Sequence, residues 1–140
     1  MKETVGRSVG MLSNLIRRHF STFSFHGTLS GAQGETLHFI LARGQECDVF
    51  QKDIEEEYSL RPPTATKLLK DMEKNGLIYR ETVPYDARLK RIVATEKAMQ
   101  YQELIHQSLE ETEDRLTSGI SPQDLAVFFR VINQMIRNMS

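Results

Sequence analysis

The sequence is defined first by what it lacks. It contains a single cysteine, Cys47, so no internal disulfide can form and a reducing cytosol is the natural compartment. No apolar run approaches the roughly 20 residues that cross a bilayer, and no membrane association is expected. The opening stretch MKETVGRSVGMLSNLIRRHF places its arginines after its apolar residues, unlike a secretory leader. No Ser/His/Asp set, no paired carboxylates and no glycine-rich phosphate loop stand out, so no catalytic residue is expected and the chain does not read as an enzyme. The four histidines, His19, His26, His38 and His106, are scattered and read as structural or solvated. Neither a metal nor a cofactor is expected.

Net charge is also nearly absent, at −1 over 140 residues, so its distribution carries the information. Between Arg61 and Arg91 there are eight basic residues and four acidic ones, a local excess of +4; the remainder of the chain carries −5. Positive charge confined to a quarter of the chain is the footprint of a local contact with a polyanion. The 39% apolar and 26% charged fractions are those of an ordinary soluble domain, and the length suits one domain with a real core.

Along the chain, Met11, Leu12, Leu15, Ile16 and Phe20 recur at helical spacing and predict a helix over about 8–23. The segment SFHGTLSGAQG, with three glycines, reads as a loop. A second helix is expected from Ser30 or Ala32 to Ala42, with Leu37, Ile40 and Leu41 inward and Gly44 as its stop. Asp48 is expected to cap a third helix, with Gln51 completing a capping box and Phe50, Ile54 and Tyr58 facing the core.

Pro62 and Pro63 then set the start of a fourth helix. The residue before a proline is pushed out of the helical region, so Arg61 and Pro62 are expected to be extended, with Pro63 first in the helix. Ala65, Leu68, Leu69 and Met72 fall within about 60° of one direction, and Lys67, Lys70 and Lys74 lie on the opposite side. In isolation such lysines describe a solvated face. The hairpin that follows changes that reading: Asn75-Gly76 ends the helix, and 77–83 and 90–94 read as strands around a PYDARL turn. Arg88, Lys90 and Arg91 give the hairpin a basic tip suited to phosphates or a minor groove. Asp86 is placed to orient Arg88.

Thr95 reads as the cap of a long fifth helix to about Leu116, with Ala98, Tyr101, Ile105, Leu109 and Leu116 on its apolar face. Ser121-Pro122-Gln123-Asp124 is a start signal for a last helix. Its stripe of Leu125, Phe128, Phe129, Ile132, Ile136 and Met139 is wide for a small monomer. Packing within the chain and a homodimer interface both account for it.

In order and spacing, these pieces resemble the MarR family of winged helix-turn-helix regulators, most closely over 50–95. The matching pieces are Ile54-x-x-x-Tyr58-x-Leu60, Thr64-Ala65-Thr66-Lys67-Leu68-Leu69, Met72-Glu73-Lys74-Asn75-Gly76-Leu77-Ile78, the wing signature Asp86-Ala87-Arg88, and Thr95-Glu96-Lys97-Ala98. The resemblance implies a mainly α fold of six helices with a small β-hairpin wing, in one domain spanning 1–140. Residues 46–95 would form a DNA-binding lobe, and 1–45 with 96–140 the helices of an obligate-type homodimer, using Leu12, Leu15, Leu116, Leu125, Phe128, Phe129, Ile132 and Ile136. It further implies a cytoplasmic, sequence-specific regulator of transcription, most often a repressor, on a near-palindromic duplex. Pro63, Thr64, Thr66, Lys67 and Lys70 would belong to the reading helix and Asp86, Arg88, Lys90 and Arg91 to the wing, with Arg61 just before that helix and Lys74 at its end also expected to bind DNA. Release by a small-molecule effector or another signal is implied, with the ligand between the dimer helices and the DNA-reading lobe. Pro63 stands where the family commonly has serine, and Ser59 where it has glycine. Cys47 does not match the peroxide-sensing branch, nor do the histidines match the zinc-sensing branch. A winged-helix module that binds an acidic protein partner is the alternative.

Overall fold

The computed structural model describes residues 2–21 and 29–140. The end of the predicted first helix, much of the SFHGTLSGAQG loop and His26 lie outside them. Nine elements follow in order: α1 (Val5–Ser21), α2 (Gly31–Gly44), α3 (Gln51–Tyr58), α4 (Pro62–Lys74), β1 (Ile78–Val83), β2 (Asp86–Ala94), α5 (Glu96–Met99), α6 (Gln102–Thr117) and α7 (Pro122–Met139). None of the described helices is long and apolar enough to cross a membrane.

The core lies where α2, α3, α4 and the hairpin stem meet α5 and the start of α6. Leu37, Ile54, Leu69, Met72 and Leu77 are fully buried there, with Val49, Ile92 and Ile105 nearly so. Each such side chain contributes about 1.5–3 kcal/mol through removal of apolar surface from water. The predicted inner face of α4 is correct: Ala65, Leu69 and Met72 are buried, and Lys67, Lys70 and Lys74 are exposed.

Several boundaries differ from the sequence expectation. Gly31 and Gly34 belong to α2 rather than to a loop, because Ser30 caps the helix by accepting a hydrogen bond from Gln33 N at 3.2 Å. Asp48 does not cap α3. The helix starts after Phe50, whose N–H donates to Asp53 Oδ2 at 2.8 Å. Pro62, not Pro63, opens α4, with Arg61 as the extended cap residue. The first turn leaves its N–H groups without helical partners, so both prolines fit there.

The predicted long fifth helix is two helices, which makes seven among the described residues where six were expected. At the break, Gln100 N and Tyr101 N bond to carbonyls three residues back, at Lys97 and Ala98, a tightened turn with neither proline nor glycine to announce it. The start signal at Ser121 is confirmed, its hydroxyl accepting from Asp124 N at 3.1 Å.

Thr95 ties the hairpin to α5. Its hydroxyl donates to Gly76 O at 2.6 Å and accepts from Ala98 N at 3.2 Å, while its N–H donates to Leu77 O at 3.0 Å. Loss of the hydroxyl removes a cap and leaves a carbonyl unpaired. Thr95→Ala is expected to lower the unfolding free energy by about 1–2 kcal/mol, with most of it retained in Thr95→Ser. Urea unfolding at fixed protein concentration measures this; equal stability of wild type and Thr95→Ala would remove the assigned role.

Candidate nucleic-acid interface

α3 and α4 form a helix-turn-helix unit. Ser59 closes α3 in the left-handed region, at φ 51° and ψ 46°, and Leu60 N–H reaches back to Glu55 O at 2.9 Å. Among the described residues Ser59 alone, apart from glycine, holds a positive φ. That conformation costs a side-chain-bearing residue about 1–2 kcal/mol. The tight turn lets the start of α4 pass beside the start of α3, where Gln51 binds the two together. Its Nε2 donates to Thr66 Oγ1 at 2.9 Å and to Pro62 O at 3.4 Å. The expected role of Gln51 in a capping box is thus replaced by a link between helices.

The outer surface of α4 begins at Arg61, Pro63 and Thr64, all exposed at its first turn, and continues through Lys67, Lys70 and Lys74. Lys67 pairs with Asp71 at 3.5 Å on the helix surface, an interaction that solvent makes weak. Thr66 departs from the expectation: it is half-buried and its hydroxyl is held by Gln51, so it faces α3. At the far end Gly76 takes φ 74°, and Leu77 N and Gly76 N donate to Met72 O and Glu73 O. This left-handed glycine closure turns the chain directly into β1.

The wing is an antiparallel pair with only Pro84 and Tyr85 in its turn, so Asp86, Ala87, Arg88 and Leu89 belong to β2 rather than to the loop. The register jumps from Thr82 opposite Lys90 to Val83 opposite Asp86, which leaves Ala87, Arg88 and Leu89 bowed out of the ladder. Arg88 is held by Asp86 in two parallel bonds, each 3.2 Å, and donates its N–H to the same carboxylate at 2.9 Å. The Arg88 side chain nevertheless remains 90% exposed. Lys90 is exposed as well.

Arg91 behaves differently from its neighbours. It is half-buried at the stem, paired with Glu81 on β1 and with Asp48 at 3.3 Å. Those carboxylates, Glu81 foremost, hold its guanidinium firmly charged. Arg80 on β1 pairs with Glu73 of α4 at 2.8 Å. Two stem arginines therefore serve internal pairs, while the cations of α4 and the wing tip face outward.

Two further features lie away from this surface. His38 of α2 and His106 of α6 are not scattered: their rings stack with centroids 6.0 Å apart, and His106 pairs with Glu110 at 3.2 Å. No group of three His, Cys, Asp or Glu suited to a metal ion occurs among the described residues. The second feature is apolar. α7 buries none of its residues, and Phe128 and Phe129 are 45% and 49% exposed. Leu12, Leu15 and Ile136 are exposed too, and Leu116, Leu125 and Ile132 are only half-buried.

A helix-turn-helix followed by a basic two-stranded wing defines a winged helix-turn-helix protein. The MarR family model matches residues 28–89, the stretch that holds the helix-turn-helix and most of the wing. It is similar over 96% of its length to the whole (99%) of the transcription regulator MarR from Oenococcus oeni PSU-1, at 28% identity and TM-score 0.84. MepR of S. aureus, solved in complex with DNA, is 24% identical at TM-score 0.88, covering 98% of this chain and 99% of that one. A putative MarR family transcriptional regulator of Listeria monocytogenes, solved with a 26mer DNA, is 21% identical at TM-score 0.83, covering 99% and 90%.

The Asp86–Arg88 pair has a titration signature. Hydrogen bonds from the Arg88 side chain, and then from its backbone, hold the Asp86 carboxyl below the usual aspartate range. A carboxyl with a depressed folded-state pKa contributes its stabilisation above its unfolded value, near 3.9, and loses it as pH falls through the folded value. NMR titration of Asp86 should therefore give a midpoint below the ordinary one in wild type and a higher midpoint in Arg88→Ala. An identical midpoint in the two proteins would mean that the pair does not persist in solution.

Proposed function

We propose that this protein is a sequence-specific, double-stranded-DNA-binding regulator of transcription, acting as a homodimer in the cytoplasm and as a binding protein rather than an enzyme. The observation that carries this reading is the shared orientation of charge on one helix-turn-helix unit. Lys67, Lys70 and Lys74 face outward along α4, and Arg88 projects from a wing tip fixed to the same core. An α-helix fits the major groove of B-DNA, and an arginine beside it reaches phosphate or the minor groove. The solved complexes of MepR and the Listeria protein with DNA support the same use of this fold.

In this reading Arg61, Pro63, Thr64, Lys67, Lys70 and Lys74 contact the groove and its phosphates. Arg88 and Lys90 contact backbone at the wing, with Asp86 aiming Arg88. Thr66 and Arg91, expected at the interface from sequence, serve internal contacts instead. The lobe 46–95 carries the reading surface, and the flanking helices carry the dimer. The exposed faces of α1 and α7 cover each other across a two-fold axis, which places two α4 helices in successive grooves about 34–36 Å apart on a near-palindromic site. In this reading the protein acts as a repressor, the sense the family resemblance implies, and an effector would lodge between the dimer helices and the wing. A cavity of about 580 Å³ there is lined by Ile40, Cys47, Tyr79, Arg91 and Met99, among others.

Selection of bound sequences from random duplexes tests the reading: an enriched inverted repeat supports it, and no enrichment overturns it. Against the selected site, Lys70→Ala and Lys67→Ala are expected to weaken binding with unfolding unaffected, because neither side chain enters the core. Arg88→Ala is expected to weaken binding across sequences and to make the dependence on log salt shallower by about one. In light scattering the protein is expected at twice its 16.1 kDa chain mass. The double variant Phe128→Asp/Phe129→Asp should shift it to the monomer mass, and a wild-type monomer at micromolar concentration would exclude the dimer.

A further inference from the structure

We propose that Asp48 and Arg91 are positioning residues for the DNA-reading surface, which fix the wing against the segment preceding α3 and do not themselves touch DNA. The proposal rests on the DNA-binding reading above. It starts from the weakness of a lone hairpin: two strands are marginal by themselves in water. The wing leaves the core at Leu77 and returns at Thr95, so its angle needs further constraint.

That constraint converges on residues 48–49. Asp48 Oδ1 accepts from Arg91 Nη1 at 3.3 Å, at the stem of β2. Its other oxygen, Oδ2, accepts from the Tyr85 hydroxyl at 3.1 Å, at the wing turn. The next residue, Val49, is 1% exposed and accepts the Ile92 N–H at 2.7 Å. Arg91 also grips Glu81, its cross-strand partner, so the side chain that holds the wing to the body also joins the two strands. The three attachments come from two places on the hairpin, the turn at Tyr85 and the stem at Arg91 and Ile92, and together they restrain its tilt.

Charge separates this role from DNA contact. One guanidinium lies between two carboxylates, so the cluster carries a net negative charge and offers phosphate no free cation. If Asp48 acted only through its charge, its removal would strengthen DNA binding. As an anchor, its removal weakens binding.

The experiment uses the full-length protein and the selected duplex. Asp48→Ala is expected to weaken binding about tenfold, equivalent to about 1.4 kcal/mol. Arg91→Met is expected to weaken it similarly with the wild-type salt slope, since no phosphate contact is lost, whereas Arg88→Ala makes the slope shallower. Arg91→Lys should recover part of the affinity. In the free proteins, amide hydrogen exchange is expected to accelerate across β1 and β2 in Asp48→Ala, with α2 and α6 keeping wild-type protection. Should either variant fail to fold, Asp48→Asn and Arg91→Lys carry the same comparisons with a smaller expected loss. Tighter or unchanged binding by Asp48→Ala overturns the proposal. So does a reduced salt slope for Arg91→Met, or unaltered exchange in the wing. Should wild type prefer no duplex sequence, the DNA reading fails separately, and the exchange comparison alone decides whether Asp48 and Arg91 hold the wing.

Discussion

The burial of one face of α4 is the constraint on which the rest of the structure depends. Ala65, Leu69 and Met72 are each fully removed from solvent, and they share that core with Ile54 of α3 and Leu77 at the hairpin entrance. A helix with one face so fixed has no rotational freedom, and its opposite face is thereby aimed. The lysines need no contacts of their own to be held outward; the apolar side directs them. The same packing seats Gly76 at the point where the chain must reverse, so that the wing emerges next to the helix it accompanies.

Charge is sorted by a second principle. Half-buried cations in this structure have partners: Arg80 has Glu73, and Arg91 has Glu81 and Asp48. Removing a charge from water is costly without a counter-ion, so positions close to the core cannot supply free cations to a ligand. The solvated face of α4 and the tip of the wing escape that requirement. Even there Asp86 constrains Arg88 in orientation without hiding it. An aimed but exposed guanidinium differs from a buried one in what it can contact, although the two are indistinguishable by residue type.

This distinction also marks how far the sequence could be read. Helical faces were legible, because periodicity follows from backbone geometry: α4's inner and outer sides and the Ser121 start emerged as expected, and the hairpin did in its position though not in the length of its turn. The basic character of α4 and the wing was legible from local charge. The partners of individual polar groups were not. Arg91 meets Asp48 across 43 positions, and Gln51 meets Thr66 across 15. Local patterns assigned Asp48 to a helix cap and Arg91 to a basic tip, and the family resemblance carried Thr66 to the reading helix, because no nearby residue argued otherwise. The stacking of His38 on His106 escaped for the same reason, since it depends on how α2 lies against α6. The break at Tyr101 escaped because a tightened turn carries no special residue.

The bowed segment of β2 has a consequence for self-association. A regular two-stranded hairpin presents rows of unpaired N–H and C=O groups, a template on which a strand from another molecule can add. Here the stem of β2 already gives the Ile92 N–H to Val49. Toward the tip, Ala87, Arg88 and Leu89 leave the ladder altogether, and the middle one carries a charge into solvent. An incoming strand would find neither a continuous row of backbone partners nor an uncharged surface. The irregularity that extends the arginine thus guards the β2 edge of the hairpin against edge-to-edge aggregation.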